Sequence, residues 1–119
     1  MDKINIEDFQ RLDIRIGTIV SAEVPKWSHW VMKLTVDFGD PSAGGGEKTI
    51  FAGIMKFFEP KELVGNQYPF IINLAPKKIG PEGDESEGMM IMIVPKEDEK
   101  TAPILFKVTK KVSNGARVG

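Results

Sequence analysis

The chain has 119 residues, the size of one domain, and no cysteine, which removes disulfides, thiol nucleophiles and cysteine-based zinc sites and suits a cytoplasmic protein. Its 41% hydrophobic and 28% charged residues are those of a globular chain; a net charge of −1 argues against nonspecific nucleic-acid binding but permits a local basic face. The longest apolar stretch, Met89 to Val94, is too short to cross a bilayer, and the N-terminus M-D-K-I-N-I-E-D lacks the apolar core of a signal peptide.

The first dozen residues predict a short helix. Asn5 can cap it, Glu7 and Asp8 sit near its positive end, and Ile6, Phe9 and Leu12 share a face. A half-buried strand follows, in which Ile14 and Ile16 alternate with Asp13, Arg15 and Gly17. Gly17 points to a bulge or tight bend, and the alternation slips phase around Thr18 and Ile19, as a bulge requires. Pro25 ends this strand, and K-W-S-H-W forms a loop.

The second strand is expected from Val31 to Gly39, with Met32, Leu34, Val36 and Phe38 inward and Lys33, Thr35 and Asp37 outward. D-P-S-A-G-G-G-E reads as a flexible hairpin loop, and a third strand runs from Lys48 to Ile54. Between Met55 and Gly65 a helical turn is expected, with Pro60 in its first turn and Gly65 as its stop. A fourth strand, Gln67 to Leu74, is interrupted by Asn73, whose amide needs a partner or a place at a barrel mouth.

A loop over 76–88 leads to Met89–Val94, apolar throughout and expected to be buried on both faces, as a covered strand or at a subunit interface. A short strand over 104–108 precedes a polar tail ending S-N-G-A-R-V-G. Five or six strands without a βαβ rhythm predict an all-β fold in a single domain over 1–119. It would be a five-stranded OB-fold barrel with a short N-terminal helix and a helical turn between strands three and four.

No catalytic constellation emerges. His29 is the only histidine, and it has no cysteine or second histidine to share a metal and no nucleophile context such as G-x-S-x-G. Glu82, Asp84, Glu85 and Glu87 do not follow the spacing of a calcium loop, and Gly44–Gly46 lacks the Lys-Ser/Thr of a phosphate cradle. Neither an enzyme, a cofactor nor a metal is expected. A basic face is more plausible chemistry: Lys33 and Arg15 are expected to project from strands, Lys56 follows the third strand, and Lys77 and Lys78 lie in the loop after the fourth.

Seven segments in order carry a resemblance: F-x-x-L-D-I-R-I-G-T-I-V, K-L-T-V-D-F-G, T-I-F-A-G-I, P-K-E-L-V-G, N-L-A-P-K-K, S-E-G-M and N-G-A-R-V-G. From Phe9 to Gly119 the chain resembles the tRNA-binding domain family, which includes the domain appended to some methionyl-tRNA synthetases, free-standing dimeric relatives and an export-related chaperone. The resemblance implies an OB fold, a homodimer, and binding to the outer corner of tRNA by shape and backbone, with an aminoacyl-tRNA synthetase as a partner and no membrane.

Carried over by position, Asn73, Ser86, Glu87, Gly88 and Met89 match the family's motif near bound RNA, and Lys33, Lys77 and Lys78 match its basic positions. The loop K-W-S-H-W-V-M-K departs from the His-Pro-x-Ala-Asp-Lys type of many relatives. The loop before Ser86 is longer than usual and carries Glu82, Asp84 and Glu85. The alternative is a chaperone-like dimer that binds unfolded peptide through Met89, Met90, Met92, Trp27 and Trp30.

Overall fold

The computed structural model describes residues 1–119. Helix α1 spans Ile6–Gln10, and strands β1 (Ile14–Glu23), β2 (Met32–Asp37) and β3 (Glu47–Ala52) follow. Helix α2 (Pro60–Leu63) precedes β4 (Gln67–Ile71), β5 (Lys77–Ile79), β6 (Asp84–Ser86), β7 (Met89–Met90), β8 (Met92–Ile93) and β9 (Ile104–Leu105). Five strands form one antiparallel sheet in the order β3-β2-β1-β4-β7, which curls into a nearly closed barrel of the OB pattern. β5 and β6 pair as a separate ribbon, as do β8 and β9.

Alternation builds the core. Met32, Leu34 and Val36 on β2 and Phe38 just beyond it are buried inward, while Lys33, Thr35 and Asp37 point out. Phe38 meets Phe70 edge to face at 5.5 Å and 90°, a geometry worth about 0.5–1.5 kcal/mol beyond burial. On β1 the pairing register with β2 slips between Ile19 and Ser21, so Val20 is the extra residue of a bulge. Gly17 serves a different purpose from the bulge. A Cβ there would come within 2.5 Å of Val36 and 2.7 Å of Phe38, so glycine lets the strands close on those side chains.

Ile14 and Ile16 lie on the face of β1 opposite Ile19, outside the barrel core, yet both are buried. The C-terminal segment covers them: Ile16 N donates to Ala116 O, Gly115 N to Ile16 O, and Val118 N to Ile14 O. Residues 113–119 are therefore not a loose polar tail but a cover bonded along β1.

Other expectations change as well. The 76–88 stretch is not a plain loop, because it contains the β5–β6 ribbon. The Asp40–Glu47 connection holds a 3-10 turn at Pro41–Ala43, capped by Asp40 accepting from Ser42 N. β4 ends at Ile71, since the chain leaves the sheet before Asn73. Within one chain Met89–Val94 is not a covered strand: Met90 is 3% exposed, but Met89 is 48% and Val94 57% exposed, and β7 and β8 divide the stretch.

The open edge of β3 is closed without a continuous ladder. Glu87 N donates to Thr49 O at 2.8 Å, and Thr49 N donates back to Glu87 Oε1 at 3.0 Å. Phe51 N donates to Ser86 Oγ at 3.1 Å, and that hydroxyl donates to Gly88 O at 3.0 Å. Side chains thus satisfy the edge amides that a sixth strand would otherwise take. Gly88 fits the seam because a Cβ there would stand 2.5 Å from Ile71 O.

Candidate nucleic-acid interface

OB barrels take nucleic acid on the outer face of strands 2 and 3, flanked by the loops after strands 1 and 4. In this chain that face is β2–β3, the first flank is the 24–31 loop, and the second is the β5–β6 ribbon. Lys33 stands opposite Phe51 on this face and reaches Glu23 at 3.9 Å. A partly exposed pair at that distance contributes little to stability and leaves the ammonium available.

Trp27 joins the two flanks. Its ring lies 6.2 Å from that of Phe51, and Gly80, in the turn of the β5–β6 ribbon, rests on it. Gly80 has φ +76°, and a Cβ added there would come 2.5 Å from the indole, so both conformation and space require glycine. The ribbon is thereby docked, with Lys77 and Lys78 exposed.

Pairing within the ribbon gives the two lysines different surroundings. Lys77 stands opposite Ser86, Lys78 opposite Glu85, and Ile79 opposite Asp84. Neighbouring strand residues point to opposite faces, so Lys77 shares the face of buried Ser86 while Lys78 shares the outward face with Glu85. The acids of this segment are thus interleaved with the lysines, and Lys78 is partly offset by its neighbour.

The remaining expected site residues divide into two groups. Met89 is exposed beside a groove of about 330 Å³ lined by Phe51, Gly53, Met90, Met92 and Val94 among others. Asn73 accepts from Asp13 N at 2.8 Å and donates to Arg11 O at 2.7 Å, so its amide pins the α1–β1 junction. Ser86, Glu87 and Gly88 form the seam described above. Arg15, expected to project freely, is instead tied to Asp13 Oδ1 at 2.9 Å and to Ala43 O at 2.8 Å. A guanidinium bonded on both sides makes a poor phosphate ligand.

His29 is exposed in the 24–31 loop, and no group of three or more His, Cys, Asp or Glu side chains converges to hold a metal ion. The carboxyls of Asp40 and Asp98 are held below the usual range, by the Ser42 hydroxyl and amide and by the Thr101 and Lys100 amides respectively. Asp40 belongs to the connection between β2 and β3, and Asp98 to the turn after β8. Sequence reading missed the buttressing of Trp27 by Gly80 and the approach of Lys56 to Trp30, because neither follows a periodic pattern. The shared signal was a pair of glycines, Gly53 and Gly80, placed where a strand or turn meets an indole.

Residues 14–117 match the family described as "Putative tRNA binding domain". The chain is 41% identical over 96% of its length to a methionine–tRNA ligase of Methanococcoides burtonii and 38% identical over 98% to that of Archaeoglobus fulgidus. It spans only 15% and 16% of those ligases. Among solved structures, a MetRS related protein from Pyrococcus horikoshii has 35% identity and a TM-score of 0.84, with both chains covered completely. The chaperone CsaA of Bacillus anthracis has 31% identity and a TM-score of 0.81, covering 99% of this chain and 100% of the other. No helix is long and apolar enough to cross a membrane.

Proposed function

The chain belongs to the tRNA-binding domain family, and on that premise we propose that it binds structured tRNA at its outer corner without catalysing a reaction. The observation that carries this reading is the lysine-bearing ribbon docked on Trp27 beside the β2–β3 face. Lys33, Lys77 and Lys78 supply the charge, and Met89 borders the same surface. Asn73, Ser86, Glu87 and Gly88 act by holding the shape on which those groups are mounted. Recognition by shape and backbone suits such a site, because its cations are dispersed and it has few base-reading amides.

We further propose that the protein works in the cytoplasm as a homodimer, serving an aminoacyl-tRNA synthetase in trans. The curated relatives are methionine–tRNA ligases, of which the matching segment is 15% in one case, which supports a tie to a synthetase. Ile16, Pro69, Ile91, Phe106 and Val118 line an apolar groove of about 530 Å³ that supports the dimer. Ile6 and Phe9 stand exposed beside another groove that also includes Val118. Light scattering is expected to give twice the 13.2 kDa chain mass, and a monomeric mass refutes the dimer.

A second reading has one observation in its favour. The methionine-lined groove beside Phe51 and Val94 is adaptable and apolar, as a site for unfolded peptide needs to be. Titrating total tRNA at several salt concentrations separates the two readings. A tRNA site loses affinity linearly in log salt, with a slope set by the phosphates it neutralises. No tRNA binding at low salt, together with binding of an unfolded polypeptide, sinks the first reading in favour of the second.

A further inference from the structure

Trp30 keeps 40% of its surface exposed, yet its ring is held firmly. Ser28 Oγ accepts from Trp30 N at 3.2 Å and Val31 N at 2.9 Å and donates to Val31 O at 2.8 Å, which fixes the turn. Met55 N donates to Trp30 O at 3.3 Å, tying the loop to the segment after β3. Gly53 lies so close to the indole that a Cβ would collide with its Nε1, Cδ1 and Cε2 atoms. Phe57 meets the ring edge to face at 6.3 Å and 84°.

Over this ring stands the Lys56 ammonium, 5.4 Å from the centroid. The ion pairs of the chain are Arg15–Asp13, Lys33–Glu23 and Lys61–Glu59, so no carboxylate compensates Lys56. A large aromatic surface left in water forgoes burial, and here it is also immobilised in advance. A rigid π-face with a cation beside it is the pairing that stacks a base and holds its phosphate. Its location agrees, since the 24–31 loop is the flank along which OB barrels guide single strands.

We propose that Trp30 and Lys56 form a stacking site for one unpaired nucleobase of the bound RNA. The base takes the place of Lys56 on the ring, and the ammonium moves to the adjacent phosphate. The proposal rests on the RNA-binding reading above, and it adds recognition of an unstacked base to recognition of backbone shape.

The chain has two tryptophans, and the difference in emission between the parent protein and Trp30→Phe reports on the Trp30 ring alone. In the parent protein, a single-stranded oligouridylate and total tRNA are expected to quench this component of the emission. A fully paired RNA duplex, with binding followed separately by anisotropy, is expected to leave it unchanged. Trp30→Ala is expected to weaken tRNA binding about tenfold, and Trp30→Phe to retain most of the affinity.

RNA binding without quenching, or parental affinity in Trp30→Ala, overturns the stacking site and leaves the tRNA-binding reading intact. If no RNA binds at low salt, both readings fall. A change of emission caused by an unfolded polypeptide but by no RNA assigns the ring to peptide contact and overturns the proposal.

Discussion

Gln67 and Val112 are joined twice across the fold: Gln67 Nε2 donates to Val112 O at 2.7 Å, and Val112 N donates to Gln67 Oε1 at 3.0 Å. The same amide nitrogen donates to Asn114 Oδ1 at 3.0 Å, which also accepts from the Thr18 hydroxyl at 2.6 Å. A buried side-chain amide here does the work of a strand partner for the C-terminal cover. Replacing it by leucine keeps the bulk but orphans the Val112 amide and carbonyl. Gln67→Leu is expected to lower stability by about 2–4 kcal/mol, read from the urea midpoint. An unchanged midpoint would mean that the cover is held by something else.

Ser86 is the natural point at which to separate shape from contact. Ser86→Ala leaves the Phe51 amide unpaired at the barrel seam, at an expected cost of about 1–3 kcal/mol. Because this hydroxyl is engaged inside the protein, tRNA affinity per folded molecule is expected to stay the same. A large loss of affinity with unchanged thermal stability would show instead that the hydroxyl touches RNA.

Lys77 and Lys78 are expected to respond separately to charge reversal, since they occupy opposite faces of one ribbon. Lys78→Glu places two acids opposite each other and is expected to cost more tRNA affinity than Lys78→Gln. Glu85→Gln is expected to tighten tRNA binding a few-fold and to steepen its salt dependence, because it frees Lys78. Titrations at two salt concentrations decide the matter; a looser complex for Glu85→Gln contradicts this arrangement.

Acid should loosen two turns in a defined order of sign. Asp98 accepts from the amides of Thr101 and Lys100 and from the Thr101 hydroxyl, which hold its carboxyl below the ordinary 3.8; Asp40 is held down by Ser42. A depressed folded-state value means these bonds contribute fully above the unfolded value and are lost as pH falls through the lower, folded one. Carbon-13 carboxyl titration is expected to place both midpoints below 3.8. A midpoint at or above that value rules the caps out.

Much of the barrel was legible because burial follows simple periods. Met32, Leu34, Val36 and Phe38 write β2 as an alternation, and the phase slip near Ile19 announced a bulge that falls at Val20. Illegible parts share a different cause. Lys77–Ile79 and Asp84–Ser86 pair as a ribbon although all of them but Ile79 are polar, since docking on Trp27 and seam bonds replace the apolar alternation that marks a strand. The 113–119 segment looked like a tail because backbone bonds to β1 leave no imprint on side-chain pattern. Asn73 and Ser86 were recognisable as special through their company in the chain, but that company could not tell an internal bond from a ligand contact.

The cover over Ile14 and Ile16 also constrains how the molecule is made. β1 leaves the ribosome well before Gly115 and Val118, whose amides bond along it. Until they arrive, one side of that strand offers two isoleucines and an unpaired edge to any passing chain. The nascent barrel is therefore adhesive until residues 113–119 have been made, and a variant truncated before Ser113 would stay in that state.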